Sequence, residues 1–265
     1  GLYITRKLML EGAYTRRETF VIIGSFSTVS IGFVGVVASS LQLLHLFPLL
    51  MISYCFLVYL LAAVQARCWP ATSILDEPLT GNKEPEDTPQ NNLFVVGWEK
   101  AMEKARTAPP MWKVFVQGGK EGFFLAMSIL GTILAVGTLA LLLAEYTSVF
   151  HWMGQPFVPV LSFLGFAEDA PLMAPAVLAG ISEMYIPALL VKEASLPGRF
   201  FIALLSISQL IFFSSVAPMM LDMFREIPVK LHHLLALFFL RTAILLPLIA
   251  FLTHLYLYLG LLFEA

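Results

Sequence analysis

Two ionisable side chains sit deep inside long apolar runs of this 265-residue chain: Glu183 within 172–191 and Arg241 within 231–259. A charge at the centre of a hydrocarbon layer costs about 2.5–3.5 kcal/mol even on the lenient insertion scale, so such residues face a protein interior or a wet cavity. Pairing the two would relieve both penalties and fix helix register, which is one expectation. The other draws on the backbone around Glu183. Pro171, Pro175, Gly180 and Pro187 interrupt regular hydrogen bonding there and leave amides and carbonyls in need of partners. In that niche the carboxylate would bind a cation, a proton, or the hydroxyl and amine donors of a polar solute, with Arg241 as its partner or as an anion contact.

The next apolar run adds hydrogen-bonding groups at Ser206, Ser208, Gln209, Ser214 and Ser215. The Gln209 amide both donates and accepts, which suits a nucleobase edge or a sugar, and equally suits a neighbouring helix. The same pattern occurs earlier. "FVIIGSFSTV" at 20–29 aligns without gaps with "FIALLSISQL" at 201–210, and arginines precede both copies, at Arg16 and Arg17 and at Arg199. Ser25, Ser27 and Thr28 then line the equivalent face of an internal repeat. Close packing of apolar helices through small residues is the competing explanation.

Other motifs carry less. "QGGKEG" at 117–122 lacks the upstream glycine and the hydroxyl residue of a phosphate loop. His232, His233 and His254 have no companions at metal-ligand spacing, and His45 reads as a packing or membrane-surface residue. Neither a Gly-x-Ser-x-Gly elbow nor a His-Glu-x-x-His pair is present. The expectation is a protein that is not an enzyme, with no catalytic residue, cofactor or metal.

The elements that must position these groups follow from composition. With 58% hydrophobic residues, 13% charged and a mean hydropathy of +0.83, the chain departs from the roughly 25% charged content of soluble domains and reads as membrane-embedded. A net charge of −2 argues against nucleic acid as a partner. Cys55 and Cys68 read as free thiols. Apolar runs long enough for a bilayer occupy 20–40, 43–64, 122–144, 200–221 and 231–259, the last a tilted or broken helix. Residues 66–92 read as a polar loop, and Phe94, Trp98, Met102 and Ala105 mark one face of a short amphipathic helix before Pro109-Pro110. Residues 148–166, with Gly154, Pro156 and Pro159, suit a re-entrant or interfacial segment. Lys and Arg concentrate in 1–19 and 65–120, which places both on the cytoplasmic side. The start at Gly1, with no signal-peptide pattern, suggests a processed product or part of a longer chain.

"GISEMYIPALL", followed by "LPGRFFIALLSISQLIFFSS" and preceded by "EGAYTRRETFVIIGSFSTVSIGF", resembles the YjiH-type bacterial inner-membrane proteins with a nucleoside-recognition, or Gate, domain. Related Gate segments occur in concentrative nucleoside transporters, in the membrane part of the ferrous-iron transporter FeoB and in spore-maturation membrane proteins. The resemblance covers most of the chain, best at 170–245 and next at 11–40, with Glu183, Met184 and Pro187 as its most specific element. It implies an all-α, polytopic transmembrane bundle of the inner membrane with broken or re-entrant helices. Two Gate-like units, 1–65 and 121–265, would flank the cytoplasmic segment 66–120. In the better understood relatives the repeats are inverted, whereas the charge distribution runs the two copies the same way unless 148–166 crosses. The functional expectation is a transporter that binds a small polar solute or ion, a nucleoside being one candidate, where the units meet. Glu183 would coordinate, Arg241 would assist, and Gln209, Ser206 and Ser208 would form the hydrogen-bonding wall. The alternative is a non-transporting scaffold or accessory subunit, docked to a partner membrane protein or to a second copy, with Glu183 and Arg241 as a structural ion pair.

Overall fold

Capping chemistry sets the first helix boundaries. The Thr15 hydroxyl accepts from the Glu18 amide at 3.1 Å while Glu18 Oε2 accepts from the Thr15 amide at 2.8 Å, a reciprocal box that starts a helix at Arg16. Ser30, in extended backbone, accepts from the Phe33 amide at 3.2 Å and starts another at Ile31. The run 20–40, expected as one span, is therefore two helices. In a computed structural model, which describes residues 2–25, 29–79, 93–209 and 216–263, the chain is all-helical. In order these are α1 (Leu2–Leu10), α2 (Arg16–Ser25), α3 (Ile31–Ser40), α4 (Phe47–Gln65), α5 (Leu93–Thr107), α6 (Met111–Tyr146) and α7 (Val149–Gly154). Then follow α8 (Phe157–Phe163), α9 (Ala170–Ala179), α10 (Ile186–Leu190), α11 (Leu196–Gln209), α12 (Val216–Met223) and α13 (Leu231–Tyr258). Among the described residues the one β-type contact is an isolated bridge between Thr15 and Pro78.

The turn after α3 makes the expected helical hairpin. The Leu43 amide reaches back to the Ala38 carbonyl at 2.7 Å and the Gln42 amide to Ser39 at 3.2 Å, with Gln42 at φ 58° in the left-handed position that glycine usually fills. Two helical stretches, Leu44–Gln65 and Leu231–Tyr258, are long and apolar enough to cross a membrane. At 1.5 Å per residue they measure about 33 and 42 Å, against a hydrocarbon core of about 30 Å. Pro247 lies inside α13 without ending it, so the last run is one helix. The run 122–144 lies within α6, which begins earlier because Pro110 provides a start. The run 200–221, expected as one span, holds most of α11 and part of α12, with 210–215 between them outside the described residues. Residues 148–166 form the two short helices α7 and α8, parted at Gln155 and Pro156. Residues 172–191 contain α9, a turn through Gly180–Tyr185, and α10, so the backbone interruption expected around Glu183 is present.

Buried apolar residues fall into two main clusters. One joins α3 and α4 to α8, α9, α11 and the later part of α13, from Leu245 to Leu252. The other joins α1, α2 and α12 to the earlier part of α13, Leu234 to Phe238. Both clusters draw on the first 65 residues and on the segment after 121. Helix α13 passes from one to the other across Arg241 and Thr242, and α9 does so between Val177 and Leu178. Arg241 and Thr242 therefore lie in a seam between two oily regions.

Candidate functional site

The seam is organised by Arg241, which is completely buried. Its Nε and Nη2 donate to the Ser208 carbonyl at 3.2 and 2.5 Å, and its Nη1 donates to the Gly24 carbonyl. Gly24 lies near the end of α2, which closes before Ser30, and Ser208 lies near the end of the described part of α11. Carbonyls in a last helical turn lack intrahelical partners, and each helix C-terminus carries roughly half a negative charge. The carbonyl dipoles of Gly24 and Ser208 therefore solvate the guanidinium without a carboxylate.

The expected Glu183–Arg241 ion pair is not formed. Arg241 instead donates to the backbone carbonyls of Ser208 and Gly24. Glu183, half-buried in the turn between α9 and α10, accepts from the Tyr185 amide two residues on at 2.5 Å. The physical reason is local: the interrupted backbone at 180–185 exposes amides beside the carboxylate, and these reach it first. The same turn is tied to α3 by a 2.6 Å bond between the hydroxyls of Tyr185 and Ser40.

Around Arg241 the buried side chains form a linked layer. Gln209 Nε2 donates to the Val177 carbonyl at 2.9 Å and to Thr242 Oγ1 at 3.0 Å, which joins α11 to α9 and α13. Ser25 Oγ donates to Gln65 Oε1 at 2.6 Å, which joins α2 to α4. Gly180 makes room for the Gln209 amide: a Cβ there would lie 2.1 Å from Gln209 Oε1. Three buried polar atoms in this layer have no partner among the described residues, namely Ser208 Oγ, Gln209 Oε1 and Gln65 Nε2. They comprise an acceptor, a donor and a hydroxyl that can serve as either.

The layer thus gathers Ser208, Gln209, Arg241 and Ser25 from the residues singled out in the sequence. Ser206 does not present its hydroxyl to the layer; it donates back to the Ala203 carbonyl of its own helix at 3.0 Å. Ser27 and Thr28 lie outside the described residues, as do Ser214 and Ser215. Gln65, Thr242 and Gly24 were missed. Gln65 stands one residue beyond the apolar run 43–64 and reads as the start of the polar loop, although an amide ending a span is itself a signal. Gly24 takes part through its carbonyl, and a backbone group leaves no mark on side-chain patterning.

An uncharacterized protein of Alkalihalophilus pseudofirmus is 34% identical to the chain over 262 residues, covering 97% of this chain and 56% of that protein. The chain therefore spans little more than half the length of this relative. No family model matches the chain, and no solved structure does.

Proposed function

We propose that the chain is a multi-pass helical membrane protein of the Gate type, which binds a small uncharged polar solute in the seam around Arg241 and passes it across the bilayer. Membrane residence is supported by the large apolar side chains that the two long apolar helices leave exposed while some of their polar ones are buried. On α4, Ser53 and Gln65 are buried while Ile52, Phe56 and Tyr59 are exposed. On α13, Arg241, Thr242 and Thr253 are buried while Phe239 and Phe251 are exposed. Only 28% and 50% of the most apolar windows of these two stretches are buried, too little for core helices of a soluble domain. Lipid accounts for the outward aromatic side chains.

The solute class follows from charge balance. All three guanidinium nitrogens of Arg241 already donate to backbone carbonyls, so an anion would find them engaged, and a cation would face the guanidinium. What remains for recognition is the neutral set Ser208 Oγ, Gln209 Oε1 and Gln65 Nε2, and this set of orphaned buried atoms carries the proposal. A nucleoside or a sugar offers matching donors and acceptors. The Gate resemblance and the pairing of α2 with α11 on one arginine both agree with a site where two repeat units meet.

Ser208→Ala is the cleanest test because that hydroxyl makes no bond among the described residues. Detergent-solubilised protein is screened by thermal shift against nucleosides, sugars, organic anions and divalent cations. The expected result is a shift with a neutral class that Ser208→Ala weakens roughly three- to tenfold, while unliganded stability changes by less than about 0.5 kcal/mol. A shift confined to anions, or one that Ser208→Ala leaves unchanged, overturns the assignment.

A further inference from the structure

Away from the seam, a cavity of about 770 Å³ opens where the N-terminus of α2 meets the C-terminus of α4. Its lining combines Arg17, Arg67, Glu18 and Asp76 with an apolar side at Val21 and Ile22. The volume lies in the range of small-ligand sites. Both arginines are anchored at the end of α4: Arg17 Nη2 donates to the Ala66 carbonyl at 2.5 Å, and Arg67 Nη1 to Ala63 at 2.7 Å. A guanidinium carries five N–H donors in a planar fork, so one such bond orients each group and leaves donors for a second acceptor. The carboxylates are fixed as well. Glu18 Oε2 accepts from the Thr15 amide at 2.8 Å, and Asp76 Oδ1 accepts from the Thr15 hydroxyl at 2.6 Å.

We infer that this cavity binds the headgroup of an aminophospholipid, with its phosphodiester on Arg17 and Arg67, its primary ammonium on Glu18 and Asp76, and an acyl chain along Val21 and Ile22. The lining holds two cations and two anions of fixed position. A purely anionic headgroup would satisfy the arginines and leave its charge against the carboxylates. A zwitterion with phosphate at one end and ammonium at the other meets both. Choline carries the same charges, but its quaternary nitrogen has no N–H to donate, whereas a primary ammonium has three. The apolar side and the position at the end of α4, where that helix would leave the bilayer, select a lipid over a soluble phosphodiester.

This inference rests on the membrane placement proposed above, and the two can fail separately. Delipidated protein in detergent is mixed with phosphatidylethanolamine, phosphatidylglycerol or phosphatidylcholine of identical acyl chains, and bound lipid is counted by native mass spectrometry, with soluble glycerophosphoethanolamine as competitor. The expected result is retention of phosphatidylethanolamine about fivefold or more above the other two. Arg17→Gln with Arg67→Gln removes that retention. Glu18→Gln with Asp76→Asn, which keeps the acceptors bonded to Thr15, abolishes the preference over phosphatidylglycerol. Equal retention of the three lipids, indifference to both double variants, or displacement by the soluble competitor at equal concentration each overturns the inference. Alkaline extraction of native membranes separates the premises. A chain that stays with the membrane but does not select phosphatidylethanolamine loses the lipid site alone, and a chain released into the aqueous phase loses the membrane placement as well.

Discussion

Arg241 and Glu183 pose the same problem, a charge in an apolar run, and meet it in opposite ways. The Arg241 region is long-range: one side chain ties Gly24 of α2 to Ser208 of α11, residues 184 positions apart, across the seam between two apolar clusters. The Glu183 region is local: the carboxylate closes its own turn onto Tyr185. The difference lies in the backbone at hand. Glu183 stands where Gly180 and Pro187 have already broken the helix, so unpaired amides lie within two residues. Arg241 stands in the middle of the 28-residue α13, far from either end of that helix, and its partners come from other helices.

The largest expected effect breaks the long-range region. Arg241→Met leaves the Gly24 and Ser208 carbonyls without their donor and should cost about 2–6 kcal/mol, from two buried acceptors at about 1–3 kcal/mol each. Chemical unfolding in detergent measures it, and a loss below about 1 kcal/mol would make the two regions alike. Next come two glycines that differ in what surrounds them. A Cβ at Gly154 would meet the backbone of Ala174 and Pro175 at 2.6–2.8 Å, where α7 approaches α9. Gly154→Ala should cost about 1–3 kcal/mol through overpacking, with solute response intact in the fraction that folds. A Cβ at Gly180 would meet the flexible end of Gln209 instead. Gly180→Ala should displace that amide, cost about 1–2 kcal/mol through its lost bonds, and abolish the response to solute. Loss of response in both variants, or in neither, would show that the seam is not where solute binds.

The smallest effect belongs to Glu183→Gln. The amide oxygen still accepts from the Tyr185 amide, so the change should stay below about 1 kcal/mol and leave solute-dependent stabilisation in place. A large loss of response there would return Glu183 to the site.

Much of the helical plan was legible in the sequence because it rests on local signals. Pro171, Gly180 and Pro187 mark the interrupted segment, Pro110 marks the start of α6, and the polar interval after Ala66 separates α4 from α5. The divide at Ser30 was not read, since a serine inside an apolar run looks tolerated; its capping bond to Phe33 gives the signal. For the site, side-chain type picked out Arg241, Ser208 and Gln209 but could not say what they bond. The partners of Arg241 are backbone carbonyls, and those of Gln209 are a carbonyl and the threonine next to Arg241. Opposite charge suggested the wrong partner because a sequence displays carboxylates and conceals which backbone carbonyls a side chain meets.

A double-mutant cycle of Glu183→Gln and Arg241→Met, read by reversible unfolding in detergent, tests the charge layout most directly. The predicted result is additivity within about 0.5 kcal/mol, with the double variant no more stable than Arg241→Met alone. A coupling of 1 kcal/mol or more, with stability recovered in the double variant, would contradict it and reinstate the ion pair.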